Sequence, residues 1–211
     1  MAITETWLYG DHRDNVAIAD LAATFPHYEL HHVPRTDRSG GGVLVFLRNT
    51  YHVTECDIKA LISFEYIELV VSAPSQIPLR LIVLYRPPKT KNKQSTTSLF
   101  LKEFPKLIES FCSEPGYVMI VGDFNFHCDD MMNRDTVSFQ DLLYSANLKQ
   151  HVAVPTHRGG HTLDLIISRN DDDFISNIDT TSYLTSDHAV VMCSLEIGRP
   201  PLSKIEIKTG S

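Results

Sequence analysis

Six short runs of apolar residues, each rich in Val and Ile and bounded by turn residues, constrain the fold of this 211-residue chain most strongly. Such runs are typical of β-strands. Because the strands follow one another with few helical patterns between them, the sequence does not favour an alternating parallel βαβ fold. It predicts an α/β (α+β) fold of two packed sheets with helices outside. The predicted strands are 42–48, 62–71, 79–85, 117–121, 162–168 and 188–195.

Three segments carry apolar residues at helical spacing. One of them ends at Asn147, a plausible left-handed stop. Another spans 100–111 and contains Pro105, which should kink or divide it because the proline ring removes a hydrogen-bond donor. A third, less regular pattern spans 15–25. The apolar face of the segment before Asn147 consists of Phe139, Leu142, Leu143 and Ala146.

Length and composition are those of one globular unit. With 43% hydrophobic residues the chain can bury a substantial core. Neither a signal peptide nor a membrane-spanning run is evident, so we expect an intracellular protein, nuclear or cytoplasmic. The four cysteines contain no C-x-x-C pair and are interpreted as reduced, structural thiols. We expect the domain to cover 1–197 and to be followed by a linker-like tail, 198–211.

The formal net charge of −7 differs from the basic surplus of most nucleic-acid binders. Carboxylates that hold a divalent cation count as surplus acid, however, and are neutralised when the metal binds. The polar segment 86–97 contains three lysines that could contact a phosphate backbone, although a solvated surface loop is the simpler explanation. Net charge therefore excludes little.

Two polar stretches beside predicted strands carry the residue types of a catalytic site. The first contains Asp123 and Asn125 at the carboxyl end of a strand, where both would face one cleft. The second, Thr185 to His188, joins a carboxylate to an imidazole. On an extended backbone Asp187 and His188 would point to opposite faces, so they lie in a turn or serve different partners.

These residue types suit the hydrolysis of a phosphodiester. That reaction needs a cation on the phosphoryl oxygens, a base for the attacking water and donors for the developing charge. Asp123 can take a proton from water, and the Asn125 amide can donate to the phosphate or fix the water. Glu5 offers the hard oxygen ligand that Mg²⁺ prefers, although an exposed glutamate needs no such role.

Other residues have both a functional and a structural interpretation. Asp164, inside an apolar strand, could orient the imidazole of His188 or could form a structural salt bridge. Tyr85, at a strand end, could donate its hydroxyl to a phosphate or could simply pack. A zinc site at His157 and His161 is conceivable, but no paired cysteines lie at finger spacing.

Six motifs form an ordered set along the chain. They are Thr-Glu-Thr-Trp at 4–7, Gly-Gly-Gly-Val at 40–43, Tyr-Arg-Pro-Pro at 85–88, Gly-Asp-Phe-Asn at 122–125, Thr-Leu-Asp-Leu-Ile at 162–166 and Ser-Asp-His at 186–188. In this order they resemble the endonuclease/exonuclease/phosphatase superfamily. More narrowly, the chain is similar to the apurinic/apyrimidinic-endonuclease-like domain of non-LTR (LINE-type) retrotransposons related to chicken-repeat and LINE-2 elements.

The resemblance implies a four-layer α/β/β/α sandwich, in which two mostly antiparallel sheets are flanked by helices and the site lies at one end of the sheets. Mg²⁺, or Mn²⁺ in its place, would be bound by Glu5 with help from Asp187. Tyr85, Arg86 and Asn125 would contact a DNA substrate.

The resemblance also implies catalytic roles. Asp123 would activate or position water, and Asn125 would orient it. His188, oriented by Asp164, would stabilise the pentavalent transition state, and Asp187 would assist at the metal or the leaving group. The product would be a nick with a 3′-hydroxyl that primes the reverse transcriptase of the parent element.

Similar domains begin with an asparagine-bearing strand and a helix before the Glu-Thr-Trp motif, whereas this chain starts almost at Glu5. We therefore expect an N-terminally truncated domain. Three functions stay open: a Mg²⁺-dependent DNA-nicking endonuclease, a catalytically impaired remnant or domesticated nucleic-acid- or protein-binding module of the same fold, and a phosphatase acting on a small phosphoester.

Overall fold

A computed structural model describes residues 1–36, 39–88, 97–109, 111, 114–181, 183 and 186–199. The strands are β1 (Ala2–Thr4), β2 (Tyr28–Val33), β3 (Val43–Arg48), β4 (His52–Glu55), β5 (Glu65–Ser72), β6 (Leu79–Tyr85), β7 (Tyr117–Asp123), β8 (Leu148–Gln150), β9 (Asp164–Arg169), β10 (Ile175–Thr180) and β11 (Val191–Leu195). The helices are α1 (Asn15–Thr24), α2 (Thr97–Glu109) and α3 (Arg134–Ser145), and a 3₁₀ turn at His12–Asp14 precedes α1.

Several sequence predictions concern residues outside the described part of the chain. They are Thr185 of the second polar stretch, Cys112, the lysines of the 86–97 segment and the tail from 200 onward.

The central layer is a six-stranded sheet of order β4-β5-β6-β7-β9-β8. Only β6 and β7 run parallel, and every other neighbouring pair is antiparallel. One face of this sheet carries Ile82, Leu84 and Ile120, which pack against Phe100 of α2 and Phe139 of α3. This face and its two helices form the largest buried core among the described residues.

The opposite face is covered by a second layer of strands. The three-stranded sheet β1-β3-β2 packs Val43 and Val45 onto Ile67 and Val83 of the central sheet. Beside it, the antiparallel pair β10-β11 covers a separate apolar cluster built around Phe174. The second layer therefore consists of two hydrogen-bonded groups.

Helix α1 lies on the outer side of the three-stranded sheet. The Phe25 ring at its end packs edge to face on Phe46 of β3, with ring centroids 5.4 Å apart. Phe46 alternates with Val45, which faces the central sheet, so it points away from that sheet. Helices, central sheet, second β layer and α1 make the predicted sandwich, and the predicted fold class is confirmed.

Several predicted strand limits were wrong, among them the start of β9 at Asp164 instead of 162, and three have a clear local reason. Strand β5 begins at Glu65 because the N–H groups of Ile62 and Ser63 donate to the carboxylate of Glu103, at 3.1 and 2.8 Å, instead of to a strand. Strand β7 extends beyond the predicted end to Asp123, which pairs with strands on both sides. The last strand starts at Val191 because Ser186 and Asp187 lie in a bend and His188 forms an isolated bridge with His157.

The end signal at Asn147 was predicted correctly, since this residue has a left-handed φ of 54° just beyond α3. Pro105 does not divide α2, which runs continuously from Thr97 to Glu109. The helix buries Phe100 and Phe104, whose rings stack 5.1 Å apart. This burial offsets the single hydrogen bond that proline cannot donate.

No helix in the described part of the chain combines the length and apolar content needed to cross a bilayer.

Candidate active site

Four ionisable side chains form one row across the central sheet. Glu65, Tyr85, Asp123 and Asp164 are paired in register on β5, β6, β7 and β9. Residues directly opposite in neighbouring strands share one face of the sheet, and this face is the one covered by the second β layer. Tyr85 and Asp123 are only 3% and 4% exposed. The row lies where the sequence predicted a cleft, at the carboxyl end of β7.

Asp123 and Asn125 contact each other through a tight turn. The Asn125 side-chain Nδ2 donates to Asp123 Oδ2 at 2.8 Å, and its backbone N–H donates to Oδ1 at 2.9 Å. Asn125 has a φ of 49°, which asparagine tolerates better than most residues. Gly122 has a φ of 135°, and a Cβ there would lie 1.9 Å from the Leu84 carbonyl oxygen. The Gly-Asp-Phe-Asn motif is therefore required by the backbone as well as by its polar groups.

The carboxyl group of Asp123 is difficult to ionise. Burial raises its pKa to about 7, and the charges of Asp164 and Glu5 act in the same direction. The charge of His188 and the backbone N–H of Asn125 oppose the shift. A carboxylate with a pKa near neutrality is well matched to accepting a proton from water.

His188 and Asp164 form the pair that the sequence suggested. His188 Nδ1 lies 2.7 Å from Asp164 Oδ2. This hydrogen bond raises the pKa of His188 to about 9, against the effect of burial, so the imidazole is cationic at neutral pH. Asp123, Asp164 and His188 each contribute one side-chain oxygen or nitrogen to a cluster in which these three atoms lie within 4.8 Å of one another. The structure thus brings a carboxyl group of near-neutral pKa and an imidazolium close to each other.

Thr156, which sequence reasoning missed, fixes this pair. Its fully buried Oγ1 accepts the backbone N–H groups of Leu163 and Asp164, at 3.0 and 2.9 Å. Its carbonyl oxygen accepts the N–H of Ala189, next to His188, at 2.7 Å. A threonine in an irregular segment gives no sequence signal for such a role, because both contacts are to backbone groups.

Glu5 and Tyr85 also meet. The Tyr85 hydroxyl donates to the carboxylate of Glu5. Glu5 is the residue just beyond β1, and its backbone has a left-handed φ of 55°. Burial, followed by the hydrogen bond to Glu5, raises the pKa of Tyr85 well above its ordinary value. The hydroxyl therefore stays protonated and donates to Glu5 as a neutral group.

Asp187 lies at the rim and points to a different partner. Its carboxylate is 64% exposed and lies 3.2 Å from His157 Nε2, a hydrogen bond that lowers the pKa of Asp187. His157 Nδ1 accepts the N–H of Gly159 at 3.0 Å, so the neutral ring carries its proton on Nε2. With both of its ring nitrogens engaged, His157 offers no free ligand atom to a metal ion, although it lies in one group with Asp187 and His188.

The suggested zinc pair is also separated. His161 Nδ1 contacts Asp129 at 3.0 Å, and its ring stacks on that of His127, whereas His157 contacts Asp187. The two side chains therefore serve different partners, and no group of three metal-ligating residues in the described ranges contains both.

Arg86 does not face the cleft in which a substrate contact was predicted. The residue is 2% exposed, and its guanidinium donates to the carbonyl oxygens of Phe124 and Asn125, both at 3.0 Å. It also lies 4.1 Å from the ring centroid of Phe126. Arg86 follows Tyr85 by one residue, so strand alternation directs it to the helix face of the sheet. From the helix face of the sheet it stabilises the turn at Asn125 through these hydrogen bonds.

The oxygen-rich cluster fits a divalent cation. Asp123 and Asp164 bring two carboxylates together beside His188, and the charges of Asp164 and Glu5 add to the burial that raises the pKa of Asp123. Carboxylate oxygens are the ligands that Mg²⁺ prefers. A cation would relieve the repulsion among these groups.

A comparison with protein families gives a match that includes most of these residues. The family described as endonuclease-reverse transcriptase matches residues 79–192, more than half of the chain and most of the row. The chain belongs to this family. Its fold is accordingly that of the endonuclease/exonuclease/phosphatase superfamily. No curated protein sequence matches the chain.

Solved structures with the same fold are distant in sequence. The human Nocturnin catalytic domain is 16% identical with a TM-score of 0.61, over 93% of this chain and 79% of that one. The 3′ phosphatase NExo from Neisseria, bound to a product DNA hairpin, is 14% identical with a TM-score of 0.64, over 92% and 87%. D. rerio TDP2 with a single-strand DNA product is 13% identical with a TM-score of 0.57, over 92% and 84%.

Proposed function

We propose that this protein is a Mg²⁺-dependent phosphodiester hydrolase that nicks DNA and leaves a 3′-hydroxyl. The observation that carries the proposal is the contact of two functional pairs. Asp123 with Asn125 forms a base of near-neutral pKa, and His188 with Asp164 forms a cation within the same cluster. Hydrolysis of a phosphodiester requires both at once.

In the proposed reaction Asp123 accepts a proton from water while Asn125 fixes its carboxylate. The water oxygen forms a bond to phosphorus, and the bond from phosphorus to the 3′ oxygen breaks. His188, held by Asp164, stabilises the negative charge that develops on the phosphoryl oxygens. The 3′ oxygen leaves as a hydroxyl after taking a proton from the solvent, and a 5′-phosphate remains.

Glu5 would hold the cation together with oxygens of the Asp123 cluster. Bound Mg²⁺ would supply positive charge to the phosphoryl oxygens. Tyr85 Oη donates to Glu5 and thereby orients its carboxylate, and a contact with the scissile phosphate would require this single proton to turn from Glu5 to the phosphate. Asp187, exposed at the rim, would assist the leaving group. The hydrogen bond from His157 engages only one of its oxygens, so Asp187 could also help to hold the cation.

Two findings support DNA as the substrate. The matching family is described by endonuclease and reverse transcriptase together, a combination in which a nick could supply a primer. Two of the structures with the same fold contain product DNA. We therefore propose that the 3′-hydroxyl primes reverse transcription in a LINE-type element, with the polymerase as the natural partner.

The test is an incubation of supercoiled plasmid with purified protein and Mg²⁺. Wild type should give nicked circles that a DNA polymerase extends without phosphatase treatment, because a 3′-hydroxyl is present. Asp123→Ala should be slower by about 10² to 10⁴, the usual contribution of a general base. Asp20→Ala, which removes an exposed carboxylate from α1, serves as the matched control.

Equal nicking by wild type and Asp123→Ala would overturn the assignment. Absence of nicking by a folded wild type that binds plasmid would instead favour the binding-module interpretation. Release of inorganic phosphate from a 3′-phosphorylated oligonucleotide, without nicking, would favour the phosphatase.

A further inference from the structure

A buried ion pair outside the predicted site borders the catalytic row. Arg35 follows β2 and Glu65 begins β5, and their side chains are only 8% and 20% exposed. The guanidinium Nε donates to Glu65 Oε1. Burying two charges loses hydration free energy, so an ion pair of this kind is weak evidence for stability and needs another reason.

The pair touches the site from the β5 side. Glu65 is the residue directly opposite Tyr85, so it extends the row of Tyr85, Asp123 and Asp164 by one position. The guanidinium carbon of Arg35 lies 5.6 Å from the centroid of the Tyr85 ring. The ring is thereby enclosed between this pair and the Asp123 cluster.

The same pair also fixes the glycine turn before β3. Glu65 Oε2 accepts the N–H of Gly42 at 2.6 Å. Gly41 has a φ of 77°, and a Cβ there would lie 2.2 Å from the Arg35 guanidinium carbon, so a side chain would displace the arginine. The Arg35 guanidinium therefore packs directly against the Gly41 backbone, and only a residue without a Cβ fits at position 41.

The glycine turn in turn holds the segment that carries Glu5. The Trp7 N–H donates to the Gly41 carbonyl oxygen at 2.9 Å. Glu5 and Trp7 have left-handed φ values of 55° and 58°, conformations that non-glycine residues retain only when their surroundings enforce them. Residues from Glu65 through the turn to Trp7 thus form one connected series of contacts that ends beside Tyr85.

We propose that the Arg35–Glu65 pair is the positioning element that holds the Glu5 carboxylate against Tyr85 Oη, acting through the turn at Gly41 and Gly42. The assignment of Glu5 as a cation ligand rests on the proposed function. The positioning itself does not, because it concerns contacts within the folded chain.

Trp7 is the only tryptophan of the chain and reports on this segment. Trp7 is already 59% exposed, so its quenching by acrylamide should change little. In Arg35→Ala, loss of the turn should instead lower the steady-state anisotropy of Trp7 fluorescence, as expected for a freed side chain. Arg80→Ala is the matched control. It removes the arginine of another buried pair, with Glu68, whose side chain points to the other face of β5. Trp7 should be unchanged in it.

Mg²⁺ titration of the thermal midpoint gives a second measurement. The half-saturating concentration should rise about tenfold in Arg35→Ala and stay unchanged in Arg80→Ala, because outer contacts of metal ligands typically contribute 10- to 100-fold. In a Glu5→Gln background the same Arg35→Ala substitution should change nicking less than about twofold, since a residue acting through Glu5 has nothing left to position.

If Arg35→Ala does not fold, Arg35→Lys replaces it, since lysine keeps the charge but not the forked geometry. Its Trp7 anisotropy and Mg²⁺ half-saturation should lie between those of wild type and of a freed segment. A folded variant, Arg35→Ala or Arg35→Lys, with wild-type Trp7 anisotropy overturns the proposal. Multiplicative losses in the Glu5→Gln background also overturn it. The Trp7 measurement needs neither metal nor substrate, so it stands if nicking fails.

Discussion

Asp123 and Asp164 lie directly opposite one another in the neighbouring antiparallel strands β7 and β9. Like charges in this position destabilise a sheet. Two contacts moderate the repulsion, the hydrogen bonds from Asn125 to Asp123 and from His188 to Asp164. Burial, and after it the charge of Asp164, nevertheless raises the pKa of Asp123 to about 7. The site is therefore assembled at the expense of stability in the metal-free protein.

Asp123→Asn should accordingly stabilise the metal-free protein at pH 8. The folded pKa of Asp123 is raised from 3.8 to about 7, so its favourable contribution is complete below pH 3.8 and is lost as pH rises through 7. We expect a gain of about 1 to 3 kcal/mol at pH 8, reduced by the loss of one acceptor for Asn125. Urea unfolding in EDTA at pH 8 and pH 4 measures it.

At pH 4 the gain should vanish. Asp20→Asn, in an exposed position of α1, should show no difference at either pH. A gain of equal size at pH 4 and pH 8 would mean that packing, and not charge, is responsible.

His188 should make the opposite contribution. Its folded pKa is raised from 6.5 to about 9, so the stabilisation is fully present below pH 6.5 and is lost as pH rises through 9. His188→Gln should destabilise the metal-free protein by about 1 to 3 kcal/mol at pH 6 and by far less at pH 10. Thermal unfolding across this range tests the sign. A constant difference would show that the imidazolium does not matter.

The sequence allowed prediction of those parts of the site that depend on local patterns. Asp123 and Asn125 follow a buried strand within one motif, and Asp164 is an acid within an apolar strand. By contrast, Glu65 enters the row through strand register with Tyr85, and Thr156 acts through backbone groups distant in sequence. Neither register nor backbone hydrogen bonding can be read from residue type.

The orientation of Arg86 could have been predicted from strand alternation, but the motif containing it suggested a substrate contact. Its motif placed it next to Tyr85, and it was assigned to the substrate. Period-two alternation along β6 places successive side chains on opposite faces, which excludes a shared cleft for the two residues. For the same reason, the fold could be predicted more completely than the site, since the strand patterns and the helix face before Asn147 are periodic.

Removal of Glu5 should weaken the response to Mg²⁺. A ligand that binds only the folded state at 100 times its dissociation constant stabilises by about 2.7 kcal/mol. Wild type should therefore show a clear rise of the thermal midpoint with Mg²⁺, and Glu5→Ala should need a much higher concentration for the same rise. Glu109→Ala, an exposed glutamate at the end of α2, is the control. Identical titrations for wild type and Glu5→Ala would exclude Glu5 as a ligand.

Arg86→Met should reduce stability before it affects substrate affinity. The substitution leaves the carbonyl oxygens of Phe124 and Asn125 without their buried donor and removes the cation from beside Phe126. We expect a loss of about 3 kcal/mol or more in urea unfolding, against little change in Arg134→Met, which alters an exposed arginine of α3. Where both proteins are folded, the slower nicking should appear in kcat, because the turn that orients Asp123 has moved. An unchanged unfolding free energy with a raised KM would return Arg86 to direct substrate binding.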